Sequence, residues 1–196
     1  MADDSASARA GFFARLRASL AALAMRRARR LTAARGPKAA IPWLRLASRY
    51  APRYGTAHRA LIDAYRDAGD PLGAIAEAER CTARFSDQPG AWIALGGMYG
   101  AAYRTRDALR AYEEALVIDE LAEAAMAAGF LYRRLGDHNT AGARFARAYA
   151  AGAGPDALRE NARSLAATGD PEAAREAMAM WERETGLSWE EQGARG

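Results

Sequence analysis

The chain has 196 residues, of which 51% are apolar and 27% charged, a balance typical of a globular domain rather than of a disordered chain. A single cysteine, Cys81, excludes an intrachain disulfide, and the two histidines, His58 and His138, have no cysteine partners at metal-ligand spacing. The net charge of +4 is uneven: residues 1–50 carry 11 basic and 2 acidic side chains, whereas the remainder carries 17 basic and 22 acidic ones. Abundant alanine and the lack of alternating apolar and polar residues predict an all-α protein.

The first predicted element is a basic amphipathic helix over residues 10–34, which follows a segment, 1–9, that we expect to be disordered. Its large apolar residues recur at steps of three and four, and arginines fill much of the remainder. The apolar positions are Phe12, Phe13, Leu16, Leu20 and Leu23, and the basic ones are Arg15, Arg17, Arg26, Arg27, Arg29 and Arg30. Only eight uncharged residues separate Arg17 from Arg26, so we expect neither a transmembrane helix nor a secretory signal.

Three interpretations of this helix remain open. It can be the first helix of a degenerate hairpin, with its apolar face packed on a second helix from Pro37 to Tyr50. It can instead lie on an anionic membrane surface or dock on a membrane protein complex, since each arginine near such a surface adds roughly 1 kcal/mol of attraction. Contact with nucleic acid is the third possibility, but the sequence has no recognition motif, so we expect no nucleic-acid partner.

An internal repeat of about 34 residues organises the rest of the chain. Alanine recurs at spacings of 34, 34, 33 and 33, at Ala40, Ala74, Ala108, Ala141 and Ala174. A large residue recurs nine positions before each alanine, at Leu31, Tyr65, Tyr99, Tyr132 and Leu165. Gly-Asp pairs at 69–70, 136–137 and 169–170 predict tight turns, because glycine can end one helix in the left-handed conformation and aspartate can cap the next.

These positions resemble the tetratricopeptide-repeat (TPR) family. The best match is the stretch from Pro89 to Leu121, which carries the family residues Trp92, Leu95, Gly96, Tyr99, Ala108, Tyr112 and Ala115. The resemblance implies a right-handed all-α solenoid of antiparallel helical hairpins, with about four repeats and a partial N-terminal one. The repeats are expected at 55–88, 89–121, 122–154 and 155–187, after the N-terminal segment 10–54 and before a tail, 188–196.

The terminal hairpins depart from the family pattern. At the N-terminal end, Ala40, Leu44, Ala47 and Pro52 match the second helix of a repeat. At the C-terminal end, Trp181 stands where the family has a small residue, and we expect it to cap the last hairpin with Trp189 folded back towards it. Stacking of open ends into a homo-oligomer is a further possibility, which this bulky cap disfavours.

In the family, the first helix of each hairpin lines a concave groove, and the resemblance implies which residues face it. The groove positions are Arg59, Asp63, Arg66, Ile93, Gly97, Gly100, Met126, Phe130, Arg133, Arg159 and Arg163. Apolar side chains at the centre and arginines around them predict a partner peptide with apolar anchors and acidic flanks. Ordinary interhelical packing of Ile93 or Phe130, and simple solvation of the arginines, are the competing interpretation.

No pattern of catalytic residues is present in the sequence. We find no nucleophile beside a base, no metal-ligand set and no phosphate loop, so we expect no enzyme activity, no cofactor, no metal and no small-molecule substrate. The sequence therefore predicts a non-enzymatic scaffold for protein–protein interaction, an adaptor or assembly factor, in the cytoplasm. The alternative is a peripheral protein that its basic N-terminal helix brings to the inner membrane.

Overall fold

Within residues 2–51, 53 and 55–189, which the computed structural model describes, the chain forms ten α-helices and no strand. Within each compact part of the chain, short turns join most consecutive helices into antiparallel hairpins. The predicted all-α fold class is confirmed.

The chain divides into two compact units, Met1–Ala102 and Tyr103–Gly196. The first unit carries 16 basic and 8 acidic side chains, a formal net charge of +8, and the second carries 12 basic and 16 acidic ones, a net charge of −4. The boundary falls inside the predicted repeat 89–121, between its first and second helices.

The first unit contains five helices. They are α1 (Ala2–Arg35), α2 (Pro37–Tyr50), α3 (Thr56–Asp67), α4 (Pro71–Arg84) and α5 (Pro89–Ala101). The hairpin turn between α1 and α2 lies at the predicted Gly36-Pro37, where Gly36 has a φ of 82° and Pro37 opens α2. Pro52, which the sequence analysis assigned to the end of the partial repeat, lies outside the described residues.

The packing of α1 differs from the expectation that its apolar face lies on α2. The α1 residues that become fully buried are the small Ala24 and Ala28, whereas all five large residues of the predicted face are exposed. Two features account for this. Leu23 is exposed beside the buried Ala24, so the surface of α1 that becomes buried is a different one from the large apolar side chains. In addition, α2 has 14 residues, about 21 Å of helix, and is too short to cover the N-terminal part of the 34-residue α1. Helix α1 also begins at Ala2 and so runs through most of the segment expected to be disordered, whose alanine content favours helix.

The second unit contains the other five helices. They are α6 (Thr105–Ile118), α7 (Ala122–Arg134), α8 (His138–Ala150), α9 (Pro155–Thr168) and α10 (Pro171–Thr185). Its core is built largely from alanines, with Phe145 as a fully buried aromatic residue. Trp181 of α10 is 2% exposed and meets the ring of Trp189 edge to face at 5.5 Å between centroids. The return of Trp189 towards Trp181 is therefore as predicted, while 190–196 of the expected tail lie outside the described residues.

The three Gly-Asp turns have the predicted chemistry. Gly69, Gly136 and Gly169 have φ angles of 75°, 81° and 82°, in the left-handed region that glycine adopts without steric cost. Each following aspartate caps the next helix: Asp70 accepts from the Gly73 N–H at 2.8 Å, and Asp137 accepts from the Thr140 N–H at 3.0 Å. Asp170 accepts from the Ala173 N–H, also at 3.0 Å.

Close approach of α7 and α8 explains the glycine at position 129. A Cβ built on Gly129 would lie 2.7–2.9 Å from three ring carbons of Phe145, which is closer than side chains tolerate. On α5, by contrast, a Cβ on Gly100 would meet no atom within 4 Å.

We expect these two glycines to respond to alanine with opposite signs. Gly129→Ala should lower the free energy of unfolding by about 1–3 kcal/mol, because the added carbon overpacks against Phe145. Gly100→Ala should leave it unchanged or raise it by up to about 1 kcal/mol, since alanine loses less backbone entropy in a helix. Urea denaturation followed by circular dichroism measures both. Equal effects at the two positions would contradict the packing described for Gly129.

Candidate functional site

Three predicted groove arginines converge on one buried carboxylate in the second unit. Arg133 of α7 forms an ion pair with Glu160 of α9, and Arg163 donates to the other oxygen of Glu160 at 3.0 Å. The Nε of Arg159 lies 3.7 Å from that same oxygen. Arg159 and Arg163 lie one turn apart on α9, and Arg133 reaches Glu160 from α7, so three of the predicted groove arginines lie together.

An aromatic side chain belongs to this cluster. The guanidinium of Arg133 lies over the ring of Phe130 at 5.1 Å, and the same ring meets the buried Phe145 edge to face at 5.1 Å. The buried Phe145 packs against one side of Phe130, and Phe130 remains 41% exposed. We call Phe130, Arg133, Arg159, Glu160 and Arg163 the arginine patch.

The arginines of the arginine patch have N–H donors that their ion pairs with Glu160 and Asp156 do not use. Three guanidiniums face Glu160 and Asp156, which pairs with Arg159 at 3.0 Å, so the net charge stays positive by one. The side chain of Arg163 is 54% exposed, and each guanidinium has five N–H donors of which the internal pairs use only some. The patch can therefore offer free donors to a carboxylate beside an aromatic surface.

Met126, a fourth predicted groove residue on α7, has a different environment. It is partly buried and packs against a core cluster of Ala125, Ala148 and Ala157. Its side chain therefore contributes to the packing of the second unit, and only its remaining surface is open to a partner.

The groove positions in the first unit lie on α3 and α5. Arg59 is exposed, and Arg66 forms an ion pair with Asp63 at 2.8 Å and with Asp67 at 3.1 Å. Two neighbouring carboxylates thus neutralise much of the charge of Arg66. Ile93, Gly97 and Gly100 are all partly exposed along α5, with no bulky side chain at the two glycines.

The α1 apolar face, formed by Phe12, Phe13, Leu16, Leu20 and Leu23, is open along its whole length. Phe12 and Phe13 are 60% and 56% exposed, with their rings edge to face at 5.8 Å. The predicted docking arginines are also exposed, and the guanidinium of Arg27 lies over the ring of Trp43 at 5.8 Å. From residue 5 to residue 62 the sequence contains 13 basic side chains and no carboxylate.

An imidazole and a thiol are side chains that take part in acid–base and nucleophilic chemistry in enzymes. In this chain His58 and Cys81 are both buried in the first unit. Burial, followed by the positive charge of Arg84, lowers the pKa of His58 to about 4, and its ring meets Phe85 edge to face at 4.9 Å. Burial raises the pKa of the Cys81 thiol to about 12, so that it stays protonated and weakly nucleophilic at neutral pH. His58 therefore contributes to the packing of the first unit, and the Cys81 thiol is a weak nucleophile.

Among the described residues, no three His, Cys, Asp or Glu side chains are arranged to hold a metal ion. None of the helices in the described part of the chain combines the length and the apolar character needed to cross a bilayer.

Sequence reasoning missed Glu160. A glutamate next to Arg159 and three residues before Arg163 reads as an exposed partner of its own helix. Its role as the shared acceptor depends on Arg133, 27 residues earlier, which reaches it from the neighbouring hairpin. The recurrence of 33 residues between hairpins is the one signal that could have placed the two side chains near each other.

No protein-family model matches the sequence, and no curated protein sequence matches it. Solved structures do resemble the fold. A crystal structure of MamA superposes with a TM-score of 0.66 at 18% identity, over 86% of this chain and 97% of that one. PilF of Pseudomonas aeruginosa superposes with a TM-score of 0.66 at 18% identity, over 88% and 79% of the two chains. A tetratricopeptide repeat protein of Parabacteroides merdae gives 0.67 at 16% identity, over 87% and 69%.

At these identities the likeness concerns the fold. The chain has the TPR fold, as the repeat of alanines, tyrosines and Gly-Asp pairs predicted. A fold of this kind does not by itself name a function.

Proposed function

We propose that this protein is a non-enzymatic adaptor or assembly factor that holds a partner peptide or subunit through the first helices of its hairpins. The observation that supports this proposal best is the arginine patch. There an exposed phenylalanine adjoins three guanidiniums whose N–H donors are only partly used by ion pairs within the patch. The partner that fits this chemistry is a segment with an apolar anchor flanked by acidic side chains.

The two parts of the patch would play different roles. Phe130 is rigid because Phe145 supports its ring, so an apolar side chain that packs on it gains contact area at little cost in entropy. Arg163 and Arg133 would donate to the acidic flank. Glu160 holds the three guanidiniums in place before the partner arrives, and it also competes with the partner's carboxylates for their donors.

Because Glu160 competes with the partner for the arginine donors, substitutions in the arginine patch should change the affinity for the partner in both directions. The partner is identified by co-purification from the native organism, and a peptide of its bound segment is then titrated by calorimetry. Phe130→Asp and Arg163→Glu should each weaken binding at least about tenfold, the equivalent of 1.4 kcal/mol. Glu160→Gln should strengthen it, because the net charge of the patch rises by one.

Arg110→Glu is the matched control, because Arg110 lies on α6 outside the patch and its side chain is 82% exposed. It should change the affinity less than about twofold. Unchanged binding in Phe130→Asp and Arg163→Glu would rule out the patch as the binding site.

A second candidate function, peripheral association with an anionic membrane, is favoured by the α1 apolar face. Five large apolar side chains lie exposed on a helix whose arginines have no carboxylate near them in sequence. Such a helix can bury its apolar side chains at the boundary between headgroups and acyl chains while its arginines remain at the headgroups.

Vesicle flotation separates this function from the first. We expect the protein to float with vesicles that contain phosphatidylglycerol and not with pure phosphatidylcholine. The double change Phe12→Ser and Phe13→Ser should reduce the bound fraction at least about tenfold, given roughly 1.5–3 kcal/mol for each buried aromatic side chain. Leu72→Ser, at an exposed leucine of α4, is the control and should bind as the unaltered protein does. Absence of vesicle binding by the unaltered protein would exclude the membrane role and leave the adaptor role intact.

A further inference from the structure

A cleft with three arginines opens in the first unit, away from the groove positions. It has a volume of about 520 Å³ and lies between α1 and the C-terminal ends of α2 and α4. Its lining residues are Ala14, Arg17, Ala18, Arg49, Tyr50, Ala51 and Arg84. We propose that this cleft is a binding site for a phosphate group.

The arginines reach the cleft from three different helices. Arg17 comes from α1, Arg49 from the last turn of α2, and Arg84 from the last turn of α4. Arg84 is held in position, since its guanidinium donates to the Ala51 carbonyl at 3.3 Å and lies over the Phe85 ring at 4.8 Å. Small side chains, Ala14, Ala18 and Ala51, leave the space between them open.

The described residues supply no carboxylate to the arginines of the cleft. None of the lining residues that the structure describes is acidic, and no carboxylate among the described residues forms an ion pair with any of these three arginines. This distinguishes the cleft from the arginine patch, where Glu160 and Asp156 already offset two of three positive charges.

Helix ends explain only part of this arrangement. The C-terminal ends of α2 and α4 each carry roughly half a negative charge, which favours an arginine in the last turn. Arg17 lies within α1, far from either of its ends, so no helix terminus accounts for it. Two half charges against three guanidiniums leave a net charge of about +2, which suits the charge of a phosphate monoester dianion.

The charge of Arg84 also acts on the buried His58. After burial, the charge of Arg84 is the next largest cause that lowers the pKa of His58. Guanidiniums match the oxygens of phosphate with paired N–H donors, so three of them around one cleft favour a phosphate over a simple halide.

Calorimetric titration with inorganic pyrophosphate at low ionic strength tests the site. We expect saturable binding, and the double change Arg17→Gln and Arg49→Gln should weaken it at least about tenfold because two charge-assisted donors are lost. The matched control is Arg29→Gln with Arg30→Gln, which removes the same charge from exposed positions of α1 outside the cleft. This control should weaken binding no more than about twofold.

A second arm distinguishes the source of the phosphate. In this arm, binding of the protein to vesicles of phosphatidylcholine and phosphatidic acid is measured with and without pyrophosphate. If the ligand is a lipid headgroup, pyrophosphate competes with the vesicles and the Arg17/Arg49 variant binds them more weakly than the Arg29/Arg30 variant. If the ligand is a soluble phosphate compound, both variants bind the vesicles equally while only the cleft variant loses pyrophosphate.

The proposal does not depend on membrane association, because the pyrophosphate titration contains no lipid. Non-saturable binding of pyrophosphate, or equal loss in the two double variants, would show that the arginines act as diffuse surface charge and would overturn it.

Discussion

Trp181→Ala is expected to lower the free energy of unfolding by about 3–5 kcal/mol, the cost of removing a large aromatic side chain from a packed interior. Trp181 is the bulkiest buried residue of α10 and is almost completely shielded from solvent. Part of the shield comes from Trp189, whose backbone N–H donates to the Glu182 carboxylate at 2.7 Å. Alanine at position 181 would leave a cavity beneath Trp189 and expose the end of the last hairpin.

Urea denaturation monitored by far-ultraviolet circular dichroism measures this loss without relying on tryptophan emission. Met180→Ala is the matched control, because the neighbouring side chain points outwards and should change the stability by no more than about 0.5 kcal/mol. Trp189→Ala should lower the free energy of unfolding less than Trp181→Ala does. The expected loss is about 0.5–1.5 kcal/mol for the aromatic pair, in addition to the contribution of the apolar area that Trp189 covers. A Trp181→Ala protein as stable as the unaltered one would show that this tryptophan does not close the hairpin stack.

Acidification from pH 7 to pH 4 should cost about 3 kcal/mol of stability through His58 alone. The folded-state pKa of His58, about 4, lies below the value near 6.5 of an unfolded chain, so the unfolded state binds more protons between these two pH values. Stability is therefore complete above about pH 6.5 and falls as the pH decreases to about 4. Burial is the main cause, the charge of Arg84 is the second, and a hydrogen bond with the Ser48 backbone opposes them.

The measurement is the free energy of unfolding as a function of pH for the unaltered protein and for His58→Leu. The variant removes the titrating group from its contact with Phe85, so its stability should change little between pH 6.5 and pH 4.5. Carboxylates such as Asp137, whose pKa the Thr140 hydrogen bonds lower, affect stability at more acidic pH. A slope that survives in His58→Leu would assign the acid sensitivity to other groups.

Local chemistry explains which parts of the fold were predictable. The Gly-Asp turns follow from two neighbouring residues, the left-handed glycine and the capping aspartate, so the sequence contains all the information they need. The return of Trp189 to Trp181 followed from the exposed apolar surface at the end of a stack.

The turn before α6 shows where local reasoning fails. It has no glycine, and Tyr103 adopts a left-handed φ of 59° in the position that glycines take in other turns. A non-glycine residue there costs about 1–2 kcal/mol, so propensity alone argues against it. The turn also coincides with the boundary of the two compact units, which no composition change in the sequence marks.

The sites were less predictable than the fold because they depend on reach between distant residues. The resemblance to the family implied that Arg133, Arg159 and Arg163 lie on first helices, but only the rotamers of long side chains bring them to Glu160. The three-arginine cleft joins residues 17, 49 and 84 of three different helices, and no motif in the sequence indicated that these side chains meet. The α1 apolar face is exposed because Ala24 and Ala28 occupy the buried surface of α1 instead, and hydrophobic periodicity does not specify which face of a helix its neighbour covers.

The division of charge between the two units affects how copies of the protein behave in solution. A molecule with +8 on one unit and −4 on the other attracts its neighbours whenever their unlike parts approach. At millimolar ionic strength this attraction extends over tens of ångströms and favours reversible clustering or turbidity, while at about 0.15 M salt it is screened beyond about 8 Å. Purification and storage buffers for this protein therefore need moderate salt, and light scattering should decline as salt is added rather than rise.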